Sequence, residues 1–188
     1  MKNTIKAVLI LVVAIGTTAF TTNYLERVEV KSSTIKWTGK KVTGQHNGTI
    51  DLKNGYFEMD GEVITGGKFT IDMSSITVTD LEGEDKGKLE GHLKSADFFG
   101  VQDHPTATLV VNSATKTKDG YAVKGDITIK KNTEPVTFNL IKNGNTAKAK
   151  LVIDRSKFDV RYGSDSFFDN LGDKTIYDDF ELDITLNM

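Results

Sequence analysis

A two-residue alternation that begins near Ser33 and persists almost to the last residue constrains this chain more than any other feature. Ile35 and Trp37 fall on one face, with Thr34, Lys36 and Thr38 on the other. Ile50 and Leu52 repeat the pattern, as do Phe57 and Met59, then Phe69, Ile71 and Met73 against Lys68, Thr70 and Asp72. Further along come Ala107, Leu109 and Val111, then Tyr121, Val123, Ile127 and Ile129, then Val136, Phe138 and Leu140. Ala147, Ala149, Leu151 and Ile153 follow, and Phe180, Leu182, Ile184 and Leu186 close the series. Period two is the signature of half-buried antiparallel strands. Lys53-Asn54-Gly55 and Lys118-Asp119-Gly120 carry the Asn-Gly and Asp-Gly pairs of tight hairpins, and Gly66-Gly67 and Asn143-Gly144-Asn145 punctuate two more. Eight or so strands joined mainly by hairpins form a meander, which loses its exposed edges by closing into an antiparallel barrel. No repeat or linker divides it.

The polar face is dense in lysine, threonine and aspartate, as in Thr146 to Lys150 and Asp126 to Lys131. Several alternating runs are too short for a tilted membrane span and lack aromatic girdles, so a soluble barrel with an apolar lumen is expected. A barrel of this size either fills with its own side chains or holds one small ligand. Ala107, Gly125, Ala147 and Ala149 leave room that leucines would take, yet periodicity alone does not choose between a cavity and a solid core. The 24 basic and 26 acidic residues create no field suited to nucleic acid, and the absence of cysteine removes disulfides, thiolate nucleophiles and zinc–thiolate sites.

Two stretches break the alternation. In residues 87–108, Leu89, Leu93 and Ala96 at i, i+4 and i+7 predict a short helix. Phe98-Phe99 follow, and two adjacent phenylalanines on a connection between strands are suited to capping an apolar interior. Residues 158–179 contain a second pair, Phe167-Phe168. Both pairs read as lids over the ends or the single mouth of the lumen, or as a plug at its base.

Residues 1–22 read as a secretory signal peptide. Lys2 and Lys6 precede the apolar run Ala7 to Ile15, and small residues follow it from Gly16 to Ala19. Nine residues at about 1.5 Å each reach roughly 14 Å, short of the ~30 Å hydrocarbon core. An uncleaved anchor helix is the alternative. The expectation is an exported domain over residues 23–188, periplasmic or secreted, with 22 basic against 26 acidic residues.

The segment His92-Leu93-Lys94-Ser95-Ala96-Asp97-Phe98-Phe99, with Pro105-Thr106-Ala107-Thr108 after it, resembles the signature of the YceI-like family. Other pieces in the same order are similar to that family: Ser33 to Gly39 with Gly44, His46 and Gly48; Gly67 to Met73 with Ser75-Ile76; Val123 to Ile129; Ile153 to Phe158; and Leu171 to Lys174 with Ile176. The resemblance implies a lipocalin-like barrel that binds a polyisoprenoid or another long-chain lipid. It implies a tail lying against Phe69, Ile71, Val123, Phe138, Leu140 and Leu151, and barrels of this kind are often homodimers. Trp37 reads as a core or pocket-wall aromatic.

His92 beside Lys94 is a candidate for a phosphate headgroup at the mouth, or for a tie between helix and loop carbonyl. Arg155 offers a fork to a pyrophosphate, or an ion pair to a nearby aspartate. His46, His92 and His104 have no metal-pair spacing, and Asp165, Asp169, Asp173, Asp178 and Asp179 do not match a calcium loop, so no metal and no resident cofactor is expected. No nucleophile elbow, triad spacing or phosphate loop marks an enzyme. The rival reading is a structural or protein-binding β-domain with a filled barrel.

Overall fold

A computed structural model describes residues 25–188. The signal-peptide reading therefore lies outside the described residues. Among the described residues nine strands form one antiparallel sheet: β1 (Glu26–Glu29), β2 (Ser32–Lys41), β3 (Gly44–Asp60), β4 (Val63–Val78), β5 (Thr106–Lys116), β6 (Tyr121–Ile129), β7 (Asn132–Asn143), β8 (Thr146–Asp154) and β9 (Ile176–Asn187). Each strand from β2 to β9 pairs with its sequence neighbour, and β2 pairs with β9, so eight strands close a barrel. The short β1 continues the line of β2 along the far half of β3.

The alternating residues face inward. Ile35, Phe57, Phe69, Val123, Leu140 and Leu151 are buried, while their neighbours Lys36, Lys68, Lys124 and Lys150 are exposed. Strands of nine to 17 residues in the barrel are longer than the alternation suggested, and long enough for a tilted membrane span. Length therefore does not distinguish this barrel from a membrane barrel; the inward apolar row and the charged outer row do.

Two glycine signals expected to make hairpins do not. Asn54-Gly55 lies inside β3, at a bulge where the β3–β4 register shifts, and Gly66-Gly67 lies inside β4. Here glycine serves close packing: a Cβ on Gly55 would stand 2.5 Å from the Phe69 ring, and one on Gly67 would stand 2.6 Å from the Tyr56 carbonyl. The space so freed lets Phe57 and Phe69 meet edge to face at 5.0 Å. The turns at Lys118-Asp119-Gly120 and Asn143-Gly144-Asn145 form as expected, with Gly144 at φ 56°.

The hairpins after β3, β5 and β7 lie at one end of the barrel. The other end carries the short turns after β2 and β6 and both long connections, 79–105 and 155–175. The first of these holds α1 (Gly83–Lys94), which starts and stops earlier than Leu89, Leu93 and Ala96 predicted. Ser95 ends it in an extended conformation, its hydroxyl donating to the His92 carbonyl at 2.8 Å, and Ala96 is exposed beyond it. Glu90 accepts the Val78 N–H at 2.9 Å, which fastens the helix to the end of β4.

The wall has one weak seam. The β7–β8 ladder runs only from Leu140–Ala149 to Asn143–Thr146, so residues 132–139 and 150–154 lack strand partners on their facing edges. Pro135, which has no N–H to donate, sits within this unpaired stretch of β7. Another interruption, between residues 31–34 and 51–54, has pairing on both sides.

Candidate functional site

The barrel interior is not filled. Two apolar cavities lie end to end within it, with volumes of about 80 and 130 Å³. Each is several times the ~10–15 Å³ that one water molecule needs, and apolar walls of this kind stay dry. Ile71, Ala107, Ile127 and Leu182 line both cavities and form a waist between them. Phe180, Leu182 and Ile184 of β9, and Val136 and Phe138 of β7, point inward yet remain only half-buried. A solid core would have covered them.

Each candidate tail contact lines the first cavity: Phe69, Ile71, Val123, Phe138, Leu140 and Leu151. Trp37, Phe98 and Phe99 line the second. Of the small residues thought to open space, Ala107 and Ala149 do line the cavities. Ala147 and Gly125 do not; Gly125 lies so close to β5 that a Cβ would meet the Val110 carbonyl at 2.3 Å. Trp37 is seated by another glycine. A Cβ on Gly48 would lie 1.8 Å from the Thr77 carbonyl and 2.6 Å from the indole, whose Nε1 donates to the Thr49 carbonyl at 3.2 Å.

The two phenylalanine pairs behave differently. Phe98 is 6% exposed. Edge-to-face contacts link His92 to Phe98 (5.5 Å), Phe98 to Phe99 (5.0 Å) and Phe99 to Phe180 (6.3 Å), forming an aromatic cap from α1 to β9. Phe167 and Phe168 are 40% and 50% exposed and do not cap the lumen. Asp178 accepts hydrogen bonds from the hydroxyls of Ser164 and Ser166, at 2.9 and 2.6 Å, which ties this loop to β9 with Ser164 buried and Ser166 and both phenylalanines exposed. Alternation carries no sign of this serine–aspartate anchor.

Arg155 is 2% exposed and lines the second cavity. Its guanidinium donates to the carbonyls of Tyr177, Val160, Tyr162 and Ile176 and pairs with Asp178 at 3.3 Å. Burial pushes its pKa below the ordinary arginine value, and the carboxylates of Asp178, Asp154 and Asp165 oppose that. Four of its five N–H groups are spent on the 155–177 connection, while Asp178 Oδ1, beside the fifth, accepts no hydrogen bond. His92 lines neither cavity; its ring packs between Phe98 and Tyr162, the latter at 4.3 Å.

Beside the cap, His46 Nδ1 and Asp80 Oδ2 stand 2.8 Å apart, and Asp80 also accepts the Asn47 N–H at 3.0 Å. Desolvation pushes the Asp80 pKa up, but these hydrogen bonds outweigh it and hold the carboxyl below its usual value. Among the described residues no three His, Cys, Asp or Glu groups converge on a metal-sized site, and no helix is long and apolar enough to cross a membrane.

Solved structures with this architecture include Burkholderia cenocepacia BcnA, at a TM-score of 0.65 and 23% identity, covering 82% of this chain and 94% of that one. Another is a polyisoprenoid binding domain from Saccharophagus degradans, at 0.60 and 13%, covering 87% and 97%. Both likenesses are of fold. A UPF0312 protein of Pseudomonas putida is 34% identical over 99 residues, 52% of this chain and 50% of the relative. One from Staphylococcus epidermidis is 35% identical over 89 residues, 46% and 47%. The chain thus spans about half the length of the curated relatives it matches. Residues 27–188 match the YceI-like domain, and with nearly the whole described structure inside that match, the chain belongs to the YceI-like family.

Proposed function

We propose that this protein binds or carries a long-chain lipid, of the polyisoprenoid or fatty-acyl type, in the lumen of its barrel. The observation that carries the reading is the unfilled interior, two cavities in line and walled by apolar side chains. A hydrocarbon chain gains about 0.8 kcal/mol for each methylene moved there from water. The Saccharophagus degradans neighbour, described as a polyisoprenoid binding domain, supports the same class of ligand. In this reading the protein is a binder rather than an enzyme. It works outside the cytoplasm, in the periplasm or as a secreted protein, after export directed by residues 1–22. The rival, a structural β-domain with a filled barrel, is disfavoured by the same cavities.

Organic extraction of protein purified from its native host, followed by mass spectrometry, tests the proposal. A long-chain lipid in near-stoichiometric amount is expected, and a folded Phe138→Asp variant should lose it. Native protein free of lipid and unable to take up added long-chain probes would refute the reading.

A further inference from the structure

The barrel is shut at both ends and loose along one side. Phe98 and Phe99 cap one end. At the other, Met59, Ile64, Tyr121 and Met188 are buried, and Tyr121 Oη donates to the Glu62 carbonyl at 3.4 Å. Along the side, the β7–β8 ladder stops at Leu140–Ala149. Among the described residues the next hydrogen bond across the gap runs from Lys130 Nζ to the Asp159 carbonyl at 2.8 Å, past the far ends of both strands. The slit between these two fastenings exposes residues 150–154 of β8, about 16 Å of strand at ~3.3 Å per residue.

The inner lips of the slit are apolar. Val136 and Phe138 of β7 are half-buried, and Leu151 and Ile153 of β8 are buried. Phe138 and Leu151 line the first cavity and Ile153 lines the second, so the slit gives onto both. On the outside, the β7 row Thr133, Pro135, Thr137, Asn139 and Ile141 is exposed and carries no charge. Val152, 61% exposed, stands on the outer face of β8. A hydrocarbon chain crossing here desolvates no ion on the β7 side.

Unpaired strand edges also invite another strand, and both of these edges carry features that oppose one. Pro135 lacks an N–H, Glu134 puts a charge on the inward row of β7, and Lys150 stands exposed on β8. What passes between them therefore needs no backbone hydrogen bonds. Parting the wall is also easiest here. The neighbouring ladders, Tyr121–Leu140 to Ile129–Asn132 and Thr146–Asn187 to Asp154–Asp179, run the full length of β6 and β8. Local opening is drawn from the segments with the fewest such bonds.

We propose that the β7–β8 seam is the door of the barrel: a long-chain tail enters and leaves the lumen sideways, between β7 and β8, while the Phe98–Phe99 cap stays shut. The route rests on the lipid-binding reading.

The test locks the seam. The chain has no cysteine, so an introduced pair is unique. Continuing the register past Leu140–Ala149 sets Thr137 opposite Val152, both exposed. Thr137→Cys/Val152→Cys is bridged after folding with the shortest bis-maleimide that mass spectrometry shows to span it. Lys148→Cys/Thr185→Cys, bridged the same way, is the control, because that pair is already held in the β8–β9 ladder. Circular dichroism checks each product. Uptake and release of cis-parinaric acid by delipidated protein are followed by stopped-flow fluorescence, and equilibrium affinity by titration.

The bridged seam should slow uptake and release together by about tenfold or more, leaving affinity within about twofold of wild type, since a door sets rates and not the depth of the site. The control bridge and the unbridged variants should exchange as wild type does. A bridged seam that exchanges at the wild-type rate, or one that weakens affinity without slowing exchange, would overturn the route and leave the lumen reading standing. Wild-type protein that takes up no cis-parinaric acid at equilibrium would overturn both.

Discussion

Ala107 stands at the waist between the two cavities and lines both, which makes Ala107→Leu a sharp probe of the interior. Leucine adds three carbon atoms pointing inward from β5. If they enter space that is empty, their burial at about 0.8 kcal/mol each outweighs a side-chain ordering cost of about 0.5–1 kcal/mol. The ligand-free protein then gains about 1–2 kcal/mol, or roughly 2–8 °C in melting temperature for a domain of this size. A chain lying through both cavities would meet a barrier at its middle. Forfeiting even four of its methylenes costs about 3 kcal/mol, more than a hundredfold in affinity. The assays are thermal unfolding of delipidated protein and displacement of a fluorescent long-chain fatty acid. A variant that melts lower, by the 1–3 kcal/mol typical of overpacking, and binds the probe as wild type does would show a solid core and refute the reasoning.

Gly48→Ala should destabilise by about 2–3 kcal/mol in urea unfolding, because its methyl would collide with the Thr77 carbonyl and the Trp37 ring. The emission of Trp37, the only tryptophan, should shift with it. Arg155→Lys keeps the charge but cannot span four carbonyls and Asp178, and a loss of about 3 kcal/mol is expected by the same measurement. Asp80 gives a pH signature. Its folded pKa lies below the unfolded one, so its stabilisation is fully present above about pH 4 and is lost as pH falls through the folded value. Asp80→Asn should therefore flatten the acid side of a melting-temperature profile below about pH 4, and an unchanged slope would contradict the assignment.

The polypeptide sequence alone determined the class of fold and the orientation of the wall. Period two assigns every side chain of a strand to one of two faces, so the inward list from Ile35 to Leu186 needed no coordinates. The residues expected to touch a tail line the cavities for the same reason. Alternation is local, however, and says nothing of what stands across a barrel. Whether the Phe57 and Phe69 rings meet, whether Asn54-Gly55 turns or bulges, and whether Phe167-Phe168 cover the lumen or face solvent depend on partners far along the chain. Arg155 shows this most plainly. Its sequence neighbourhood offered Asp154, but the fold delivered Asp178 and four carbonyls, because a buried guanidinium takes whichever acceptors tertiary packing brings within reach. The hollow itself was also a tertiary decision, since an unfilled lumen results from side chains on opposite walls that stop short of one another.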